Sequence, residues 1–120
     1  MKNQLIKGFI DAMIFSEFID ENHPNNSGLS ANAGSFVGAY VFGFVLDCET
    51  LINEFCDQEG MSFERVGQLF YFACAGHGVG FFDYKGDAAK QLNQYMSDNW
   101  KRYYINQVWV DEDTGLVDIE

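Results

Sequence analysis

Positive charge is what this chain has least of. Seven Lys and Arg stand against eighteen Asp and Glu, a formal charge of −11 at pH 7. Residues 8–64 contain no base, yet carry Asp11, Glu17, Asp20, Glu21, Asp47, Glu49, Glu54, Asp57, Glu59 and Glu64. The last eighteen residues lack a base again and hold Asp111, Glu112, Asp113, Asp118 and Glu120. Five of the seven bases fall between residues 65 and 102. Such a field repels phosphate, attracts basic surfaces and favours solubility. Direct nucleic-acid binding is therefore not expected. Lys85, Lys90, Lys101 and Arg102 make no convincing groove, and core packing accounts for aromatic runs such as Phe70–Phe72 and Phe81–Phe82 that could otherwise stack on bases.

Other absences narrow the class further. No run reaches the roughly 18 apolar residues of a membrane span; the closest, Phe36 to Leu46, breaks at Asp47. Asp11, Glu17 and Asp20 interrupt the apolar N-terminus, and no small-residue cleavage site follows. The expected location is the cytoplasm, without a membrane partner. Hydrophobic content of 48% and aromatic content of 17%, with twelve Phe, exclude a disordered acidic tail. At 120 residues the chain suits one domain, 1–120, with a single core.

Cys48, Cys56 and Cys74 cannot all pair within one chain. Cys48 and Cys56 lie eight residues apart on an expected helix, about 12 Å along its axis and too far for a bridge. Cys74 and His77 have a zinc-like spacing, but their further ligands would have to come from an apolar helix face. Buried free thiols are the expectation, with no metal and no cofactor.

Periodicity places the elements. Leu5, Ile6, Phe9, Ile10, Met13 and Ile14 make residues 3–18 an amphipathic helix. Residues 21–28, with the only proline, read as a loop that leaves His23 in solvent. Val37, Val41, Phe44, Cys48, Leu51 and Phe55 step by four and three, giving a helix over 35–57 that Gly60 ends. Gly38 and Gly43 weaken that helix, so close packing on another element is expected at both. Residues 68–74 and 79–84 are rich in strand formers and flank Ala75, Gly76, His77 and Gly78, predicting a hairpin. Asp87 is read as the N-cap of a third helix with Ala88, Leu92, Tyr95 and Met96 inward. Tyr104–Val110 and Leu116–Ile119 then form a second hairpin around Asp111–Gly115. The predicted fold is α+β: two N-terminal helices, then ββαββ forming a small antiparallel sheet with helices packed on one face.

No catalytic constellation emerges. Asp111, Glu112 and Asp113 are clustered oxygens, but Gly115 falls one position early for a calcium loop and the later Glu is missing, so a hairpin turn is the reading. Gly76, Gly78 and Gly80 lack the strand-then-helix setting of a phosphate loop. The glycines around His77 permit a tight turn that exposes the imidazole, either as a base or contact near Asp83 or as a plain turn residue. The sequence places no nucleophile or second acid beside it.

The segment Phe70 to Asp83, with Gly76, His77, Gly78, Gly80, Phe81, Phe82 and Asp83, resembles a small family of phage and prophage proteins. Its members carry a strand followed by Asn-Gly-His-Gly-x-Gly-Phe-Trp-Asp. The likeness extends to Phe9–Glu17, to Asp47 and Cys48 with Phe55, and to Trp109–Gly115. Ala73, Cys74 and Ala75 replace the family's Thr-Arg-Asn, and Phe82 replaces its Trp. The family has no settled biochemical function, so the resemblance implies a phage setting rather than an activity.

Field and resemblance together predict a small phage or prophage accessory protein that binds rather than catalyses. Its expected partner is a basic, nucleic-acid-binding host protein of a restriction or CRISPR defence complex, met by nucleic-acid mimicry. The carboxylates expected to do this are Asp47, Glu49, Glu54, Asp57, Asp111, Glu112 and Asp113. The alternatives are a small-ligand-binding protein or enzyme centred on His77 and Asp83, or a homo-oligomeric module joined through the Val37–Phe55 seam or an exposed aromatic patch.

Overall fold

Helical burial decides most of the architecture. The computed structural model describes residues 1–18, 28–76 and 80–120. In chain order they form α1 (Lys2–Phe18), α2 (Ala31–Glu59), α3 (Phe63–Ala75), a single 3-10 turn (Phe81–Asp83), α4 (Asp87–Asp98), α5 (Trp100–Tyr103), β1 (Val108–Val110) and β2 (Val117–Ile119). The expected loop at 21–28, with His23, lies almost wholly outside the described residues.

The long helix α2 starts where Ser30 Oγ accepts the Ala33 N–H, and it ends where Gly60, at φ 63°, sends its N–H to the Cys56 carbonyl. Val37, Val41, Phe44, Cys48, Ile52 and Phe55 bury one side of it. The seam expected from the sequence thus faces the chain's own core, with Ile52 buried in place of the half-buried Leu51, and is not free to join subunits. An 18-residue window of α2 averages a hydropathy of 1.5, apolar enough to cross a membrane by length and composition; one third of it is buried in the core.

The predicted ββαββ order is overturned. Residues 68–74 lie inside α3, and Phe81–Asp83 form a 3-10 turn, so the first hairpin is absent from the described residues. The physical reason is visible in hindsight. Val66, Leu69, Phe70 and Cys74 recur at steps of three and four and are all buried. Ser62 Oγ caps the Arg65 N–H, and Gly76, at φ 71°, closes the helix on the Phe72 carbonyl. Burial of one helical stripe outweighs the strand preference of a Phe-Tyr-Phe run, because β propensity mostly reflects packing context. Asp87 also shifts by one place: Gly86 is the N-cap of α4, and Asp87 opens its first turn.

Among the described residues only the second hairpin forms, as a two-stranded antiparallel ribbon pairing Val108 with Ile119 and Val110 with Val117. No helix-backed four-stranded sheet exists among the described residues. The ribbon is instead tied to the start of α2. Leu29 bridges Val117, the Ser30 N–H donates to the Val117 carbonyl, and Ser30 Oγ and Asn32 Nδ2 both donate to Asp118 Oδ1 at 2.9 Å.

The core is aromatic. Phe44 stacks on Phe70 with ring centroids 4.1 Å apart, and Phe9, Phe81, Phe55 and Tyr103 extend the cluster. The helices α1 and α3 meet backbone to backbone. A Cβ placed on Gly8 would sit 1.8 Å from the Glu64 carbonyl oxygen, and one on Gly67 would sit 2.1 Å from that of Leu5. A Cβ on Gly43 would meet the Arg102 guanidinium at 2.5 Å, a close contact but with the end of a flexible side chain; Gly38 has nothing within 4 Å, so close packing does not explain it.

Candidate functional site

Four of the expected partner-binding carboxylates lie on α2, and the helix does not treat them alike. At about 100° per residue, and taking Asp47 as zero, Glu54 falls at about 340°, Asp57 at about 280° and Glu49 at about 200°. The buried Phe44, Cys48, Ile52 and Phe55 occupy the arc between about 60° and 140°. Asp47 and Glu54 therefore share one flank, Asp57 lies opposite the core, and Glu49 stands toward the other flank.

Asp47 is engaged within the fold. Its Oδ2 accepts from Tyr95 Oη at 2.7 Å and from Arg102 Nη1 at 2.9 Å. Tyr95 and Tyr103 share a further bond, Oη to Oη, at 2.5 Å. A carboxylate can only accept, so Tyr95 spends its proton on Asp47 and Tyr103 donates to Tyr95. The Tyr95 hydrogen bond, then Arg102, holds the Asp47 carboxyl below the usual carboxylate range, while burial, aided by the bonds to Tyr103 and Asp47, pushes the Tyr95 phenol up. This network joins α2 to α4 and α5. Asp47 is thus a structural anchor before it is a contact.

Glu49, Glu54 and Asp57 are exposed, and among the described residues none pairs with a base. Asp57 and Glu59 occupy the last turn of α2, which has no basic residue. Carboxylates there face the negative end of the helix dipole, where the fold by itself would favour Lys or Arg. The first turn of α4 adds Asp87 beside them: the Ala88 N–H donates to Gln58 Oε1, and a Cβ on Gly86 would approach Glu59 Oε1 to 3.3 Å. One end of the molecule thus gathers Glu54, Asp57, Glu59 and Asp87.

The hairpin acids lie elsewhere. Asp111 Oδ1 accepts the backbone N–H groups of Asp113 and Thr114, which shapes the turn that Gly115 completes at φ 70°. Glu112 and Asp113 are exposed. Because Val117 N donates to the Gly28 carbonyl, this turn sits at the N-terminal end of α2, opposite the Glu54–Asp87 group. The structure makes two acidic patches from the seven residues, not one.

No family model matches this chain, and neither does any curated protein or solved structure.

The motif residues behave as structural punctuation where they are described. Gly76 ends α3 rather than turning a hairpin, and Asp83 Oδ2 accepts the Gly80 N–H across the 3-10 turn at 3.1 Å. His77 and Gly78 lie outside the described residues. Cys48, Cys56 and Cys74 are free thiols, and among the described residues no three His, Cys, Asp or Glu side chains converge on a metal position. Burial, then Asp47, pushes the Cys48 thiol up to about 12, and burial raises Cys74 well above its ordinary value. Neither is suited to act as a nucleophile at neutral pH. Clefts are found among the described residues at two places. One of about 180 Å³ lies between the end of α3 and Trp100, Tyr103 and Tyr104; the other, of about 370 Å³, lies between Phe15 of α1 and Arg65 and Phe72 of α3.

Sequence reading missed Phe42 and Leu46, which project from α2 at 52% and 69% exposure. Their signal was available: both fall off the 37–55 seam, in a helix whose outer face should otherwise be polar.

Proposed function

We propose that this protein acts by binding a basic protein surface through the C-terminal half of α2. Glu49, Glu54 and Asp57 enter Lys and Arg sites that otherwise hold phosphate. The observation that carries this reading is the set of exposed carboxylates without a basic partner on the C-terminal half of α2, with Asp57 in the last turn, where the fold alone would place a base. A basic partner relieves that unfavourable placement, and the long-range field of a −11 chain speeds its arrival. Glu112 and Asp113 supply a second contact at the far end. In the phage setting implied by the resemblance, the partner is a nucleic-acid-binding component of a host defence complex, and the chain acts there as a nucleic-acid mimic.

Affinity capture tests this. The purified protein and an E54Q/D57N variant are incubated with bacterial lysate at about 50 mM salt, then washed at about 500 mM. A nucleic-acid-binding protein held only by the native chain, released at high salt and displaced by added DNA, supports the proposal. Capture of nothing, or capture that is equal for the variant, refutes it.

A further inference from the structure

Ala39, Phe42, Leu46, Thr50, Asn53 and Asp57 follow one another at steps of three and four along the outward face of α2. The first half of this stripe is apolar. Phe42 and Leu46 are more than half exposed, and Phe42 stands between the buried Val41 and Gly43. Lys2 Nζ stands 5.2 Å from the Phe42 ring centroid and closes one edge without covering it. The second half is acidic, with Asp57 on the stripe and Glu49 and Glu54 beside it. From Ala39 to Asp57 the stripe is about 27 Å long, at 1.5 Å per residue, and Leu46 stands about 16 Å from Asp57.

We infer that this face docks an amphipathic helix of the partner, with apolar anchors over Phe42 and Leu46 and, about one to three turns beyond Leu46, Lys or Arg over Glu49, Glu54 and Asp57. The inference rests on the binding function proposed above and specifies the partner's contact segment. Apolar contact at one end and charge at the other fix both register and direction, which carboxylates alone cannot do. The same helix of a second copy fits poorly, because α2 carries carboxylates and no base of its own to meet the acidic half. An anionic lipid surface is repelled by the same half.

Three labelled peptides of about 20 residues test this by fluorescence anisotropy at about 50 mM and about 300 mM salt. The first carries Leu and then Lys along one helical face; the second scrambles that composition; the third carries Lys only. The expected result is that the aligned peptide binds at least about tenfold more tightly than either control. L46K and F42S should each weaken it about tenfold with unchanged circular dichroism, and E54Q/D57N should weaken it and flatten its salt dependence. Equal binding of the Lys-only or scrambled peptide, or indifference to L46K and F42S, overturns the inference while leaving the acidic reading intact. Binding of no peptide overturns the inference, and lysate capture then judges the acidic reading separately. Leu46-dependent dimerisation on sedimentation, or uptake onto neutral lipid vesicles, assigns the face to another occupant and overturns the inference as well.

Discussion

Replacing glycine by alanine inside a helix ordinarily stabilises a protein by about 0.4–1 kcal/mol, because the unfolded chain loses freedom. At Gly8 and Gly67 the sign should reverse. Each Cβ would meet a carbonyl oxygen of the facing helix, at 1.8 Å and 2.1 Å. Contacts under 3.0 Å force a shift, so α1 and α3 must part by about 3.0 − 1.8 = 1.2 Å for G8A. Neither neighbour can step aside, since both oxygens belong to helical backbone. The opening also loosens Leu5, Phe9 and Met13 from Val66 and Phe70, and a gap of about 1 Å forfeits up to half of each dispersion contact. Overpacking of this kind costs about 1–3 kcal/mol. A 120-residue domain unfolds with about 0.25 kcal/mol/K of entropy, so 1 kcal/mol moves Tm by about 4 °C. G8A and G67A should each lower Tm by about 4–12 °C, and the double variant by less than the sum, because one separation serves both. G38A, which meets nothing within 4 Å, should raise Tm by up to about 4 °C. Thermal melts followed by circular dichroism decide the matter. A rise for all three variants would falsify the backbone-to-backbone contact of α1 and α3.

Three further outcomes are expected. Ser62→Ala removes the cap of α3 and should cost about 1 kcal/mol, or about 4 °C; an unchanged Tm would return the segment to the strand expected from its composition. Iodoacetamide at about pH 8 should label Cys56 first and Cys48 and Cys74 only on unfolding, read by mass spectrometry, since burial raises all three thiols and only Cys56 is half exposed; rapid native labelling of Cys74 would contradict its burial. Asp118 is held below the usual carboxylate range by Asn32, then by the Ile119 N–H, with Ser30 adding to it. A carboxyl lowered in the folded state contributes stability above its unfolded value and loses it as pH falls through the folded one. The stability gap between the native chain and D118A should therefore shrink below about pH 4; a gap that widens on acidification would contradict the assignment.

What the sequence made legible was periodicity. The steps along α1, α2 and α4 announced their buried faces, and Gly60 marked the end of α2. The acidic turn at Asp111–Gly115 announced the hairpin of β1 and β2. The strongest failure is α3, where a Phe-Tyr-Phe run spoke for a strand while Val66, Leu69, Phe70 and Cys74 spoke for a helix. Ser62 and Gly76 are the helix's start and stop, but a left-handed glycine such as Gly76 serves a hairpin turn equally well. The acidic surface was legible as composition only. That Asp47 would be drawn to Arg102, 55 residues away, or that Asp111 would turn inward on its own backbone, depends on tertiary placement that local pattern does not encode.

The 29-residue α2, about 43 Å at 1.5 Å per residue, accounts for nearly all of the molecule's 45 Å long axis. The acidic hairpin turn beside its start and the carboxylates at its end are therefore held at a fixed distance, like the jaws of a caliper. A target with basic patches at that spacing engages the second as soon as the first is bound, at an effective concentration set by a rigid rod rather than a tether. A target whose patches lie closer together or farther apart gains only one of the two contacts. Helix length, as much as charge, selects what this chain can hold.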